Sequence, residues 1–143
     1  MNDIGTILFD FGNTLAPFNV PEAEGTAWDL AFFLAERIKV PAERLFRLWQ
    51  RAREEDLERS AQTGREVAFS SRLRRIFQQL ELKADHQLIR NARKALVSSF
   101  VRRVHVPDWI RHCLASLSKR YTLGVLSNYL LSEPILKILR RDK

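Results

Sequence analysis

Thr6-Ile7-Leu8-Phe9-Asp10-Phe11-Gly12-Asn13-Thr14-Leu15 decides how the rest of the chain is read. An apolar run ends abruptly in a carboxylate and is followed by a glycine turn. A short, continuous apolar run without polar alternation is the pattern of a strand buried in a parallel sheet, and residues 4–9 are predicted to form one. At the C-terminal ends of such strands loops converge and helix N-termini point into a crevice, which is where open α/β sheets bind ligands. Asp10 falls at that edge.

Working outward, Pro17, Pro21 and Gly25 interrupt any regular element and predict a linker over residues 16–25. Helix signal follows. Ala27, Leu30, Ala31, Leu34 and Ile38 share one face of a first helix, and Pro41 opens a second with the stripe Leu45, Leu48, Trp49 and Ala52. Glu43 to Arg47 and Glu55 to Arg59 are spaced as i,i+4 pairs on its wet side, and Gly64 ends it. Thr63 and Glu66 have the spacing of a capping box for a third helix, whose stripe is Phe69, Leu73, Ile76, Phe77 and Leu80. Leu88, Ala92, Ala95, Leu96 and Ser99 mark a fourth. Stripes at this spacing read as bundle packing rather than as a cofactor site.

Pro107 and Asp108 start a further helix with Ile110, Cys113, Leu114 and Leu117 on one side, so Cys113 is expected to be a buried small hydrophobe. A second strand-like run, Tyr121 to Leu126, stops at Ser127-Asn128, and Ser132 and Pro134 begin a last helix. The plan is strand, helical block, helix, strand, helix.

The 143 residues carry a net charge of +7 with 45% hydrophobic residues, a globular composition of one-domain size. The arginines are scattered along amphipathic helices among glutamates, which favours solvated helix faces over a nucleic-acid surface built from Arg72, Arg75, Arg90, Arg93, Arg102 and Arg103. One cysteine forms no internal disulfide, the N-terminus lacks a signal-peptide pattern, and no apolar run is long enough for a membrane span. The expectation is a cytoplasmic protein with no membrane partner.

The first stretch resembles the opening signature of the haloacid dehalogenase-like (HAD) hydrolase superfamily, in which an apolar strand runs into Asp-x-Asp-Gly-Thr-Leu or a close variant. Leu-Ser-Asn, at residues 126–128, is similar to the second signature, and members with a helical cap of the first type insert it between those two signatures. The resemblance implies an α/β fold: a partial HAD-like Rossmannoid core with a parallel sheet, over residues 1–16 and 105–143, and a helical cap over residues 17–104.

It further implies that Asp10 is a nucleophile, that Ser127, Asn128 and Thr14 hold or shape the phosphate site, and that Mg2+ is bound by Asp10 and the backbone carbonyl of Gly12. A carboxylate nucleophile splits one hard displacement into two easier ones, and a divalent cation screens the repulsion between two anions. The expected substrate is a small anionic phosphorylated metabolite. Asn13 stands where glycine is common and can take the left-handed backbone such a turn needs.

Two departures bear on activity. Gly12 replaces the second aspartate, which in many members protonates the leaving oxygen; such help is typically worth about 10²–10⁴ in rate. Asp3 is at the far end of the strand and cannot replace it. The lysine and the acidic residues of the family's later signatures have no match either, because Lys137, Lys143 and Asp142 follow no further strand. A two-stranded parallel sheet also leaves long edges unpaired. The expectation is therefore a truncated chain, with a missing C-terminal segment or an oligomeric partner, in which phosphatase activity is impaired or lost. A non-catalytic binding or interaction module is the alternative, and dehalogenase chemistry a minor one.

Overall fold

In the computed structural model, described over residues 4–142, the chain forms β1 (Thr6–Asp10), α1 (Val20–Ile38), α2 (Ala42–Thr63), α3 (Phe69–Gln79), α4 (His86–Arg103), α5 (Asp108–Leu117), β2 (Thr122–Leu126) and α6 (Ser132–Arg141). Asp3 and Lys143 lie outside the described residues. The fold is mixed α/β and mostly helical. Its sheet has two parallel strands, β1 and β2, paired in register from Thr6 opposite Thr122 to Asp10 opposite Leu126.

The apolar stripes pack into two clusters. One fills the bundle of α1 to α4, with Leu30, Leu34, Leu45, Trp49, Leu73 and Phe77 among its buried members. The other lies under the sheet side and gathers Phe11, Leu15, Phe100, Val104, Ile135 and Ile138. Helix α4 serves both, because Leu96 and Val97 face the bundle while Phe100, with Val104 just past the end of the helix, faces the second cluster. Phe100 is the joint. Its ring centroid is 4.9 Å from that of Phe18, in the loop after β1, and 4.4 Å from that of Tyr129, in the loop after β2.

Helix α1 starts earlier than its prolines and glycine predict. Pro21 sits in the first turn, where a missing N–H leaves nothing unpaired, and the Glu22 carboxylate accepts from the Asn19 N–H at 2.9 Å. Gly25 lies inside the helix because α4 reaches across it: a Cβ there would fall 2.6 Å from Nη1 of Arg103. That guanidinium donates to Asp29 at 2.9 Å, as does Arg102, and the Ser99 hydroxyl donates to the same carboxylate at 2.6 Å. Burial would raise the Asp29 carboxyl, but these donors outweigh it and hold the group below its ordinary value.

Three local expectations are corrected. Thr63 is the last residue of α2, its hydroxyl donating to the Arg59 carbonyl, and α3 starts after Ala68 without a side-chain cap. Arg51 and Glu55 form the α2 ion pair, at 3.1 Å. Cys113 is exposed, since α5 buries only Ile110 fully.

The largest departure concerns the strands, which are not buried. Side chains alternate across a strand, and one face of the sheet, bearing Thr6, Leu8, Asp10, Thr122 and Leu126, is open to solvent. Leu8 is 64% and Leu126 70% exposed, while Phe9 on the opposite face packs on the second cluster.

The C-terminus of α6 is tied back to the end of α4. Arg141 donates to the Val104 carbonyl at 2.8 Å, and Asp142 accepts from the Val106 N–H at 2.9 Å. The Arg141 hydrogen bond, with the Val106 donor adding to it, brings the Asp142 carboxyl down to about 2 from its ordinary 3.8. A carboxyl whose folded value is depressed adds stability that is complete above the unfolded value and lost as pH falls through the folded one. Asp142 is thus expected to contribute a loss of stability between about pH 4 and pH 2, and urea midpoints across that range should flatten in Asp142→Asn. Phe100→Ala should lower the unfolding free energy by about 3–5 kcal/mol in the same measurement, the range for emptying a buried phenylalanine site.

Candidate functional site

The loops after β1 and β2 form one side of a cleft, and α1, α2 and the segment between α2 and α3 form the other. Because Asp10 pairs with Leu126, both strands end at the same level and Ser127 follows directly. The loop after β1 is held by its own backbone. Phe11 accepts from the N–H groups of Leu15 and Ala16 at 2.9 and 3.0 Å, and Asn13 donates to Ala16 at 2.8 Å. Asn13 has φ 58°, the left-handed conformation its sequence position suggested, and its side chain accepts from the Phe18 N–H at 2.8 Å. This turn sends Phe18 into the cleft wall against Phe100 and Tyr129.

The cleft has a volume of about 340 Å³, within the size range of small-molecule sites. Gly12, Ser127 and Asn128 line it on the loop side. Asp10 and Thr14 are not among its lining residues; both are exposed, Asp10 on the open face of the sheet. The Ser127 hydroxyl accepts from the Tyr129 N–H at 3.3 Å, a turn-forming bond that leaves its own proton to be donated elsewhere. Of the predicted site residues, the fold thus brings together Gly12, Ser127 and Asn128, with Asp10 one strand-end away.

On the helical side, Gln50, Arg53, Leu57 and Ser60 recur three and four residues apart along α2 and line the cleft as one stripe. Deeper, Asp56 is 2% exposed and is neutralised twice, by Arg72 Nε at 2.6 Å and by the Nη2 of Arg75. Arg72 also lies over the Trp49 ring, 4.9 Å from its centroid. Arg72 and Asp56 occupy positions that helical spacing assigns to the apolar stripes of Phe69 and of Trp49 with Ala52. Opposite charges on two buried stripes were the signal available in sequence for this part of the site. Tyr129, the residue after Leu-Ser-Asn, is half-buried in the cleft wall; burial pushes its hydroxyl well above its ordinary value, against the opposing pull of Arg72 and Arg53. It stays protonated.

The basic surface weighed for nucleic acid is largely consumed by the fold. Arg72 and Arg75 pair with Asp56, Arg102 and Arg103 with Asp29, and Arg93 with Glu133.

Asp10 and the Gly12 carbonyl are hard oxygen donors of the kind Mg2+ takes, and that ion commonly keeps several waters while using one or two carboxylates and a substrate phosphate. The donor types fit. Among the described residues no three acidic, histidine or cysteine side chains gather. No helix among the described residues is long and apolar enough to cross a membrane. No protein-family model matches the chain, and no curated protein sequence matches it.

Removing one partner of a buried ion pair leaves an uncompensated charge and costs about 3–5 kcal/mol. Asp56→Ala is expected to lose that much in urea unfolding, because Arg72 would be stranded in the wall of the cleft. Half-exposed Arg75 should tolerate replacement by alanine with a smaller loss.

Proposed function

We propose that the chain is a HAD-like hydrolase of the phosphatase type, acting on a small phosphorylated metabolite, with residues 17–104 as its cap and Asp10 as its nucleophile. The observation that carries this reading is the in-register parallel pairing of β1 and β2, which sets Asp10 and Ser127 at adjacent strand ends. A carboxylate and a hydroxyl at the C-terminal edge of a parallel sheet are well placed for attack on, and retention of, an anion.

In the proposed reaction an Asp10 oxygen attacks phosphorus, and the bond from phosphorus to the ester oxygen breaks. The leaving oxygen departs with the electron pair and takes a proton from water. Water then cleaves the acyl-phosphate, releasing phosphate and restoring the carboxylate. Ser127 and Asn128 would donate to the phosphoryl oxygens. Mg2+, held by Asp10 and the Gly12 carbonyl, would supply charge neutralisation between nucleophile and substrate. Gly12 offers no side chain to protonate the leaving oxygen, so esters with good leaving groups are the preferred substrates.

One observation favours a second reading, a non-catalytic binding module of the same architecture: Asp10 shares the open face of the sheet with Leu8 and Leu126 and is not part of the cleft lining. The two readings part on a single assay. With an aryl phosphate and Mg2+, the hydrolase reading expects turnover by the unaltered chain and only background by Asp10→Asn; equal rates in both would leave the binding module.

A further inference from the structure

The cleft has a composition that selects among ligands. One wall is aromatic: the half-buried rings of Phe18 and Tyr129 line it, with centroids 5.8 Å apart, and both pack on Phe100, which is itself buried, as is Trp49 of α2. A cluster of this kind offers a flat ligand both area and edge-to-face contacts. The charged groups are not equal in availability. Arg72 is committed to Asp56 at 2.6 Å, and Arg75 is bonded to the same carboxylate. Arg53 has no carboxylate partner among the described residues. It lines both the cleft and an adjoining recess of about 180 Å³. The carboxylates bordering it are Asp56, which is taken by Arg72 and Arg75, Glu24 in the recess and Glu66, the last two exposed, and none forms an ion pair with it.

The two sides of the cleft thus have different donors. The loop side offers the Ser127 hydroxyl and Asn128; the α2 side offers an uncommitted guanidinium, with aromatic rings near it. A guanidinium is matched to a carboxylate by its planar fork of donors. The absence of an acid at Gly12 points the same way, since an aryl oxide, with a conjugate-acid pKa of about 10 as in tyrosine, leaves without prior protonation far more readily than an alkoxide.

We propose that the substrate is an aryl phosphate whose ring carries a carboxylate, with the ring held in the aromatic cleft and the carboxylate read by Arg53. This rests on the reading of the cleft as the substrate site of a hydrolase. Arg53 is a specificity residue, exposed on α2, so its replacement leaves both clusters intact.

The test compares 4-carboxyphenyl phosphate with phenyl phosphate by calorimetric titration of the full chain, its Asp10→Asn variant and its Arg53→Gln variant. A charge-assisted pair predicts about tenfold tighter binding of the carboxylated ester. That preference should persist in Asp10→Asn and vanish in Arg53→Gln. Equal affinity for the two esters, or a preference that survives Arg53→Gln, overturns the proposal. Turnover is scored separately: Asp10-dependent hydrolysis without carboxylate preference sinks this inference alone, whereas an Arg53-dependent preference with no hydrolysis sinks the hydrolase reading and leaves the ligand assignment standing.

Discussion

The contact on which the rest of the structure depends is the seating of Phe100 between Phe18 and Tyr129. Three segments far apart in sequence meet there: the loop leaving β1, the last turns of α4, and the loop leaving β2. Each ring is anchored from a different side. Phe18 is delivered by the left-handed turn at Asn13, Phe100 by a helix that already packs in the bundle, and Tyr129 by the Ser127 turn. Because two-stranded pairing alone is marginal in water, this cluster, with the Arg141 and Asp142 ties to α4 and to the chain just after it, holds the strands against the bundle. It also explains why a cleft exists. The rings fill the inner end of the space between loops and helices, and α2 stands off from Gly12 and Ser127 by the width of what remains.

The sheet is unequal in its two faces. Ile7, Phe9 and Leu123 turn toward covered protein, whereas Thr6, Leu8, Asp10 and Leu126 meet water. Leu8 drapes over Gly124, where a Cβ would fall 2.6 Å from its Cδ2, so the one leucine in the middle of that face is partly accommodated by the absence of a side chain opposite. Asp10 keeps its hydration as a result. A hydrated carboxylate is a weaker nucleophile toward an anionic ester than one enclosed with fixed dipoles. The exposure of β1 and the proposed chemistry of Asp10 therefore pull in opposite directions, and charge screening at the strand end is what would reconcile them.

Most elements were legible in the sequence, because a helix that buries one side must repeat its apolar residues near every 3.6 positions. Leu45 with Trp49, Leu73 with Ile76 and Phe77, and Ala92 with Leu96 are read straight from that rule. The misreadings share a cause. Gly25 looks like a break until Arg103, from the far end of α4, is seen to need its space. Cys113 belongs to an apolar stripe that is covered only at Ile110 and partly at Leu114, and the run of β1 is apolar on both faces although only one is packed. Local pattern reports what a residue tolerates; burial is decided by partners elsewhere in the chain. For the site, the strand-end positions of Asp10 and Ser127 followed from the motifs, while Arg53 did not, since its meaning depends on Arg72 and Arg75 being already engaged.

That engagement gives the cleft its electrostatic logic. A buried carboxylate with two guanidinium partners is held rigidly; the cluster keeps one net positive charge, but the donors turned to Asp56 are spent inside the protein and are not offered to an incoming anion. Asp56 thus turns Arg72 into structure: it props the Trp49 ring and shapes the wall. An exposed, uncommitted guanidinium at Arg53 is different, since it exchanges water for a ligand carboxylate without breaking a bond inside the protein. Gly12 completes the argument from the opposite side. With no acid beside the strand-end carboxylate, the proposed reaction gains most from a leaving group that is stable as an anion, and an aromatic oxide is such a group. Phe18 and Tyr129, which tie the loops to the bundle through Phe100, are also the surface against which that leaving group would rest, so the packing and the proposed chemistry draw on the same residues.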